Sequence, residues 1–143
     1  MPSSTDFPAR GKIIEVRNNV VVFHPTMTNY QFHLEFGDAK PEVSKRPIEC
    51  LIRVDARKVY TVPSGGNFIQ PIFGPPRIIQ GRVKYADEKT LVVHAGVPII
   101  VRLPDAETAI DLSEGKIRVG NMANVVALPG PTIEVLAAAN SAR

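Results

Sequence analysis

Gly11-Lys12-Ile13-Ile14-Glu15-Val16-Arg17-Asn18-Asn19-Val20-Val21-Val22-Phe23-His24 recurs, without a gap, as Gly81-Arg82-Val83-Lys84-Tyr85-Ala86-Asp87-Glu88-Lys89-Thr90-Leu91-Val92-Val93-His94. A glycine opens each window, a basic residue follows it, and a histidine closes an apolar run. Further on, Ile52-Arg53-Val54 is matched by Ile117-Arg118-Val119, and Val59-Tyr60-Thr61-Val62-Pro63 by Val125-Val126-Ala127-Leu128-Pro129. Blocks that recur in the same order are the mark of an internal repeat, and a repeat sets the architecture before any residue has a role.

The elements around these windows read as strands. Asn18 and Asn19 tolerate the left-handed backbone of a tight turn, so Lys12 to Val16 and Asn19 to His24 form a hairpin. Tyr30, Phe32, Leu34 and Phe36 alternate with polar residues, as in a half-buried strand. Pro47 to Val54, Lys58 to Val62 and Phe68 to Ile72 complete a first unit over residues 11–70. Pro71-Ile72-Phe73-Gly74-Pro75-Pro76 interrupts any sheet, which makes 71–80 a proline-rich connector. A second unit over 81–136 runs through Thr90 to Ala95, Val97 to Leu103, Gly115 to Val119, Met122 to Leu128 and Thr132 to Leu136. Ala106 to Leu112 offers the one helical turn, with Asp105 as its N-cap.

Val20 to Phe23 and Leu91 to Val93 are apolar on both faces, and such a strand needs cover on both sides. The expected fold is therefore all-β: two tandem small antiparallel β-barrels of the OB or SH3-like kind, related by duplication and packed together. A single β-sandwich is the alternative.

The chain has 143 residues, 44% of them hydrophobic and 22% charged, which excludes wholesale disorder. Its formal net charge of +3 is spread along the sequence without a basic run or tail. A lone Cys50 excludes an intrachain disulfide, and no signal-peptide pattern or apolar span is present, so the expected location is cytoplasmic.

The candidate site residues come from the matched windows. His24 and His94 end equivalent strands and suit a proton or metal role, yet no metal-ligand spacing accompanies them or His33, and no metal site is expected. Lys12 with Arg82, and Arg53 with Arg118, form matched basic pairs suited to anions, arginine through its planar fork. No GxSxG, GxxxxGK[ST] or GxGxxG occurs, so neither an enzyme nor a cofactor is expected. The expected function is a non-catalytic interaction or assembly module that associates with itself or a protein partner. The alternative is a binder of an anionic ligand (a nucleotide, an oxyanion or single-stranded nucleic acid) through Lys12, Arg53, Arg82, Arg118, His24 and His94. Nucleic acid is not favoured, because the alternating aromatics of the first unit become Val97, Ile99, Val101 and Leu103 in the second, as a core face would.

Two short stretches resemble known families. Gly81 through Val101, with Ile133-Glu134-Val135-Leu136, resembles the small barrels of molybdate-binding TOBE-type domains, which implies oxyanion binding; Gly130-Pro131 stands where that family carries a basic residue. Asp111-Leu112-Ser113-Glu114-Gly115 resembles the DxSxxG element of cyclic-dinucleotide-binding PilZ barrels, with Lys116 in place of the next glycine and no upstream RxxxR. Neither resemblance assigns the chain to a family.

Overall fold

A computed structural model describes residues 3–104, 110–111 and 117–138. After a 3-10 turn at Ser4–Asp6 the chain forms β1 (Ala9–Arg17), β2 (Val20–Pro25), β3 (Gln31–Glu35), β4 (Ile48–Val62), β5 (Phe68–Gln70) and β6 (Phe73–Gly74). Then come β7 (Ile78–Ala86), β8 (Thr90–His94), β9 (Pro98–Arg102), β10 (Ile110–Asp111), β11 (Met122–Ala127) and β12 (Thr132–Ala138). The helical turn expected at Ala106 to Leu112 lies outside the described residues, apart from β10. The strand expected at Gly115 to Val119 is not seen where the chain is described: Val119 and Gly120 form a turn. Among the described residues no helix is long and apolar enough to cross a membrane.

The two matched windows are two hairpins of the same register. In the first, Lys12 pairs with His24 and Ile13 with Phe23, and a bulge then moves the pairing to Glu15 and Val22. In the second, Arg82 pairs with His94 and Val83 with Val93, and a bulge moves the pairing to Tyr85 and Val92. The expected left-handed turn residue is Asn18, at φ +32.

The expectation of two tandem barrels, and with it the barrel description, is corrected. The strands form a single twelve-stranded, mostly antiparallel sheet in the order β1-β2-β3-β12-β4-β11-β7-β8-β9, with further pairings of β1 and β9 to β4. It is not a two-sheet sandwich either. Strand β4 is the reason. Its first half pairs with β1 and β12, its middle runs parallel to β9, and its second half pairs with β11. The last strand of the chain thus lies between β3 and β4, with β4 separating it from β11.

The physical cause is a missing break. Asp55-Ala56-Arg57, expected to separate two strands, holds neither glycine nor proline, so the chain stays extended for fifteen residues, roughly 50 Å at about 3.3 Å per residue. The corresponding stretch of the second half, which follows Val119, does break: Gly120 sits in a turn and takes φ +97, a conformation glycine adopts without steric cost.

Inside the sheet lies one large core that includes Ile13, Phe23, Phe32, Leu34, Ile52, Val59, Ile79, Leu91, Ile99 and Val125. The outer faces of the doubly apolar strands find cover within the chain. Val92 packs with Leu51 and Ile100 under Phe7 and Tyr85, and Val22 is only 6% exposed. The N-terminal segment therefore helps to cover an outer face that was expected to be covered by the packing of a second barrel.

Cys50 is fully buried on β4, and desolvation, with a smaller contribution from Glu49, pushes its thiol up from 9.0 to about 12. A thiol reagent at about pH 8 is expected to modify it only in denaturant. The sign of the pH effect follows from the raised value. The unfolded chain ionises this thiol above its ordinary pKa while the folded chain keeps it neutral, so the contribution is present below pH 9 and is lost as pH rises toward 12. Urea midpoints measured across that window should fall, and fall less in Cys50→Ala.

Candidate functional site

The six candidate residues do not converge on one place. Lys12 is exposed on β1 opposite half-buried His24, whose Nε2 lies 2.7 Å from the Thr28 carbonyl. Arg53 sits on β4 and donates from Nη1 to Glu134 Oε1 at 2.7 Å. Its sequence match Arg118 lies in no strand; its backbone N–H donates to Asn121 Oδ1 at 2.8 Å. The two arginines therefore occupy different settings. By contrast, Val59 and Val125 of the other matched block pair directly with each other.

Two candidates, Arg82 and His94, face each other across the β7–β8 hairpin, and the turn that follows a third, Arg118, lies beside them. Arg82 is exposed opposite His94 and donates from Nη1 to the Gly120 carbonyl at 3.0 Å. The turn that follows Arg118 is pinned to β7 by Gly120 N–H to Val83 O and by Val83 N–H to Asn121 O, each 2.8 Å. The bulge between Val83 and Tyr85 adds exposed Lys84. Burial, followed by the nearby Lys84 charge, lowers the His94 pKa below its ordinary value. Sequence reasoning missed Lys84 because its match in the first window is Ile14, so it forms no matched basic pair; the signal available was a second basic residue two places on from Arg82, the spacing of one strand face.

A different setting surrounds β12. Along one side it pairs with β4 from Thr132 to Ala138. On the other side the ladder to β3 consists of Thr132 opposite Glu35, with Glu35 N–H donating to Pro131 O at 2.8 Å. Beyond that pair, no strand partner lies on this edge among the described residues. Beside it opens a cleft of about 560 Å3 between Gly37–Pro41 and Thr132–Val135. The loop forming its far wall is anchored to β1 by Ser44, which accepts from Ile13 N–H at 2.9 Å and donates its own N–H back to Ile13 O at 2.9 Å. Val135 and Leu136 are 41% and 44% exposed. Nothing in the local sequence marks this edge, because a strand does not announce which neighbours it will have.

A second cleft, of about 430 Å3, joins Arg53, Asp55, Arg102, Thr90 and Thr132. Its arginines are already matched, Arg53 by Glu134 and Arg102 by Asp55 at 2.8 Å, which leaves no net charge to attract an ion. Gln80 and Asn124 form a buried polar pair: Asn124 Nδ2 donates to Gln80 Oε1 at 3.0 Å and Gln80 Nε2 to the Gly66 carbonyl at 2.9 Å. That pair fastens the Gly65-Gly66 turn to the sheet and is structural. Among the described residues, no three histidine, cysteine or acidic side chains come together as a metal ion requires. No known family model, curated protein or solved structure matches this chain.

Proposed function

We propose that the chain is a non-catalytic interaction module that takes up an extended apolar segment of a partner protein along the free edge of β12. The observation that supports this reading is that edge itself: among the described residues, those beyond Thr132 pair with β4 on one side only, next to a cleft of about 560 Å3. An open strand edge displays unpaired backbone donors and acceptors, which proteins usually blunt or cover. Strand addition satisfies them, and pockets for alternate side chains supply selectivity. Val135 and Leu136 provide apolar surface for that purpose. A cytoplasmic setting belongs to the same proposal.

Selection from a displayed peptide library tests it. Enriched peptides should alternate apolar residues, perturb the backbone resonances of residues 133–136 in NMR titrations, and bind at least tenfold more weakly to Val135→Glu without a matching loss of thermal stability. Peptides that instead map to exposed Ile72 and Phe73 on the connector and β6 would overturn the assignment of this edge.

A further inference from the structure

We infer that the outer side of the β7–β8 hairpin, through Arg82 and Lys84 with His94 and Arg118 alongside, binds the phosphates of an extended polyanion. This inference is independent of the β12 edge. The four residues come from three adjoining segments. Arg82 and Lys84 lie on β7, His94 faces Arg82 from β8, and Arg118 leads into the turn hydrogen-bonded to Val83 on the opposite side of β7. Neighbouring strands lie about 4.8 Å apart, so the basic band is roughly 10 Å wide.

Comparison of the two hairpins singles this one out. At the bulge, the first hairpin has Ile14 where the second has Lys84, and the next register position holds Glu15 rather than Tyr85. Glu15 also pairs with Arg17. His24 is engaged by the Thr28 carbonyl, whereas the position equivalent to Thr28 is Pro98, the direct register partner of His94. The ion pairs seen among the described residues involve Arg17, Arg53 and Arg102; Arg82, Lys84 and Arg118 form none. Among the described residues, Arg82 and Lys84 thus have no carboxylate matched to them, and the segment that carries Arg118 lies beside them.

The shape indicates what kind of anion fits. Around Arg82 and Lys84 the face is exposed strand, while Phe7 and Tyr85 cover it at Val92, and the clefts beside β12 and between β4 and β9 are lined by other residues. An enclosed small ligand would find little contact there, whereas a chain of charges can lie across the band. Protein interfaces need an apolar or aromatic centre, and the four residues of this band supply none. Phosphates need only positive charge and donors, and the release of condensed counterions drives such binding. The absence of an aromatic residue among the four also means that bases are not read, so the interaction follows backbone charge, whether of nucleic acid or of inorganic polyphosphate.

The test titrates the folded full chain with long-chain polyphosphate, with a random-sequence 20-base-pair duplex and with poly-glutamate, from about 25 to 200 mM salt. Polyphosphate is expected to bind with a log–log salt slope of roughly −3, as for three phosphate contacts at the slope of about −0.9 each known for duplex DNA. The paired variant Arg82→Glu/Lys84→Glu should weaken it at least tenfold, while Lys12→Glu on the first hairpin leaves it within twofold; thermal melts confirm that both variants remain folded. Duplex binding with the same variant pattern makes nucleic acid the source of the phosphates, and polyphosphate binding alone makes the source a free phosphate chain. Equal loss in Lys12→Glu, equal affinity for poly-glutamate, or no binding at the lowest salt would each overturn the inference.

Discussion

Replacing Gly81 with alanine is expected to cost about 3 kcal/mol or more, the upper end of what overpacking a core incurs. A Cβ at Gly81 would overlap the His94 carbonyl oxygen and lie 2.7 Å from its carbonyl carbon. The same holds in the first hairpin: a Cβ at Gly11 would overlap His24 O and sit 2.7 Å from Pro25 Cα and 2.8 Å from Phe23 Cζ. The obstacles are mostly backbone atoms of the facing strand, which cannot rotate away as a side chain does. Nor can the strand withdraw, since β2 is held by β3 and β8 by β9. Against a domain stability of roughly 5–15 kcal/mol, each single variant should lose on the order of 10 °C in Tm, and the double variant should fail to fold. Gly37→Ala and Gly66→Ala meet nothing within 4 Å and should leave the urea midpoint nearly unchanged. An unchanged midpoint in Gly81→Ala would mean that the strands do not approach as closely as described.

The second large effect concerns the exchange of strands. A fragment ending before β7, residues 1–76, is expected to be unfolded by circular dichroism and by amide dispersion in NMR. It would carry β4 with β9, β11 and β12 all missing, leaving both edges of a fifteen-residue strand bare over most of their length. Core residues Ile52, Val59 and Val54 would lose partners such as Ile133 and Val125. Burial of apolar area supplies about 25 cal/mol per Å2, and a unit this small has little to spare. Mixing it with residues 77–143 should restore β structure with second-order kinetics. A cooperative melt from the 1–76 fragment alone would contradict the exchange, because each half would then complete its own sheet.

The hairpins were legible because their determinants are local. Glycine where the facing backbone comes close, an asparagine turn and a closing histidine all act within about fifteen residues of one another, and the same signals recur in the second window. Arg82 and His94 could be singled out from that recurrence alone. Lys84 could not, because the recurrence sets it against Ile14 of the first window and so gives it no basic counterpart. Arg53 and Arg118 show the opposite failure: a shared Ile-Arg-Val triplet lies in a strand in one case and in a turn region in the other, since three residues do not carry enough information to specify either.

Strand character, the turn at Asn18 and the absence of catalytic motifs were determined by the sequence alone, through steric and hydropathic rules that act over short distances. Which strand lies beside which was decided only by the tertiary structure. An apolar strand satisfies its backbone equally well against many partners, and the choice falls to the packing of residues remote in sequence. That choice sent β12 across to β3 and β4 rather than leaving it beside β11, drew Arg118 up to Arg82, and left one edge of β12 open.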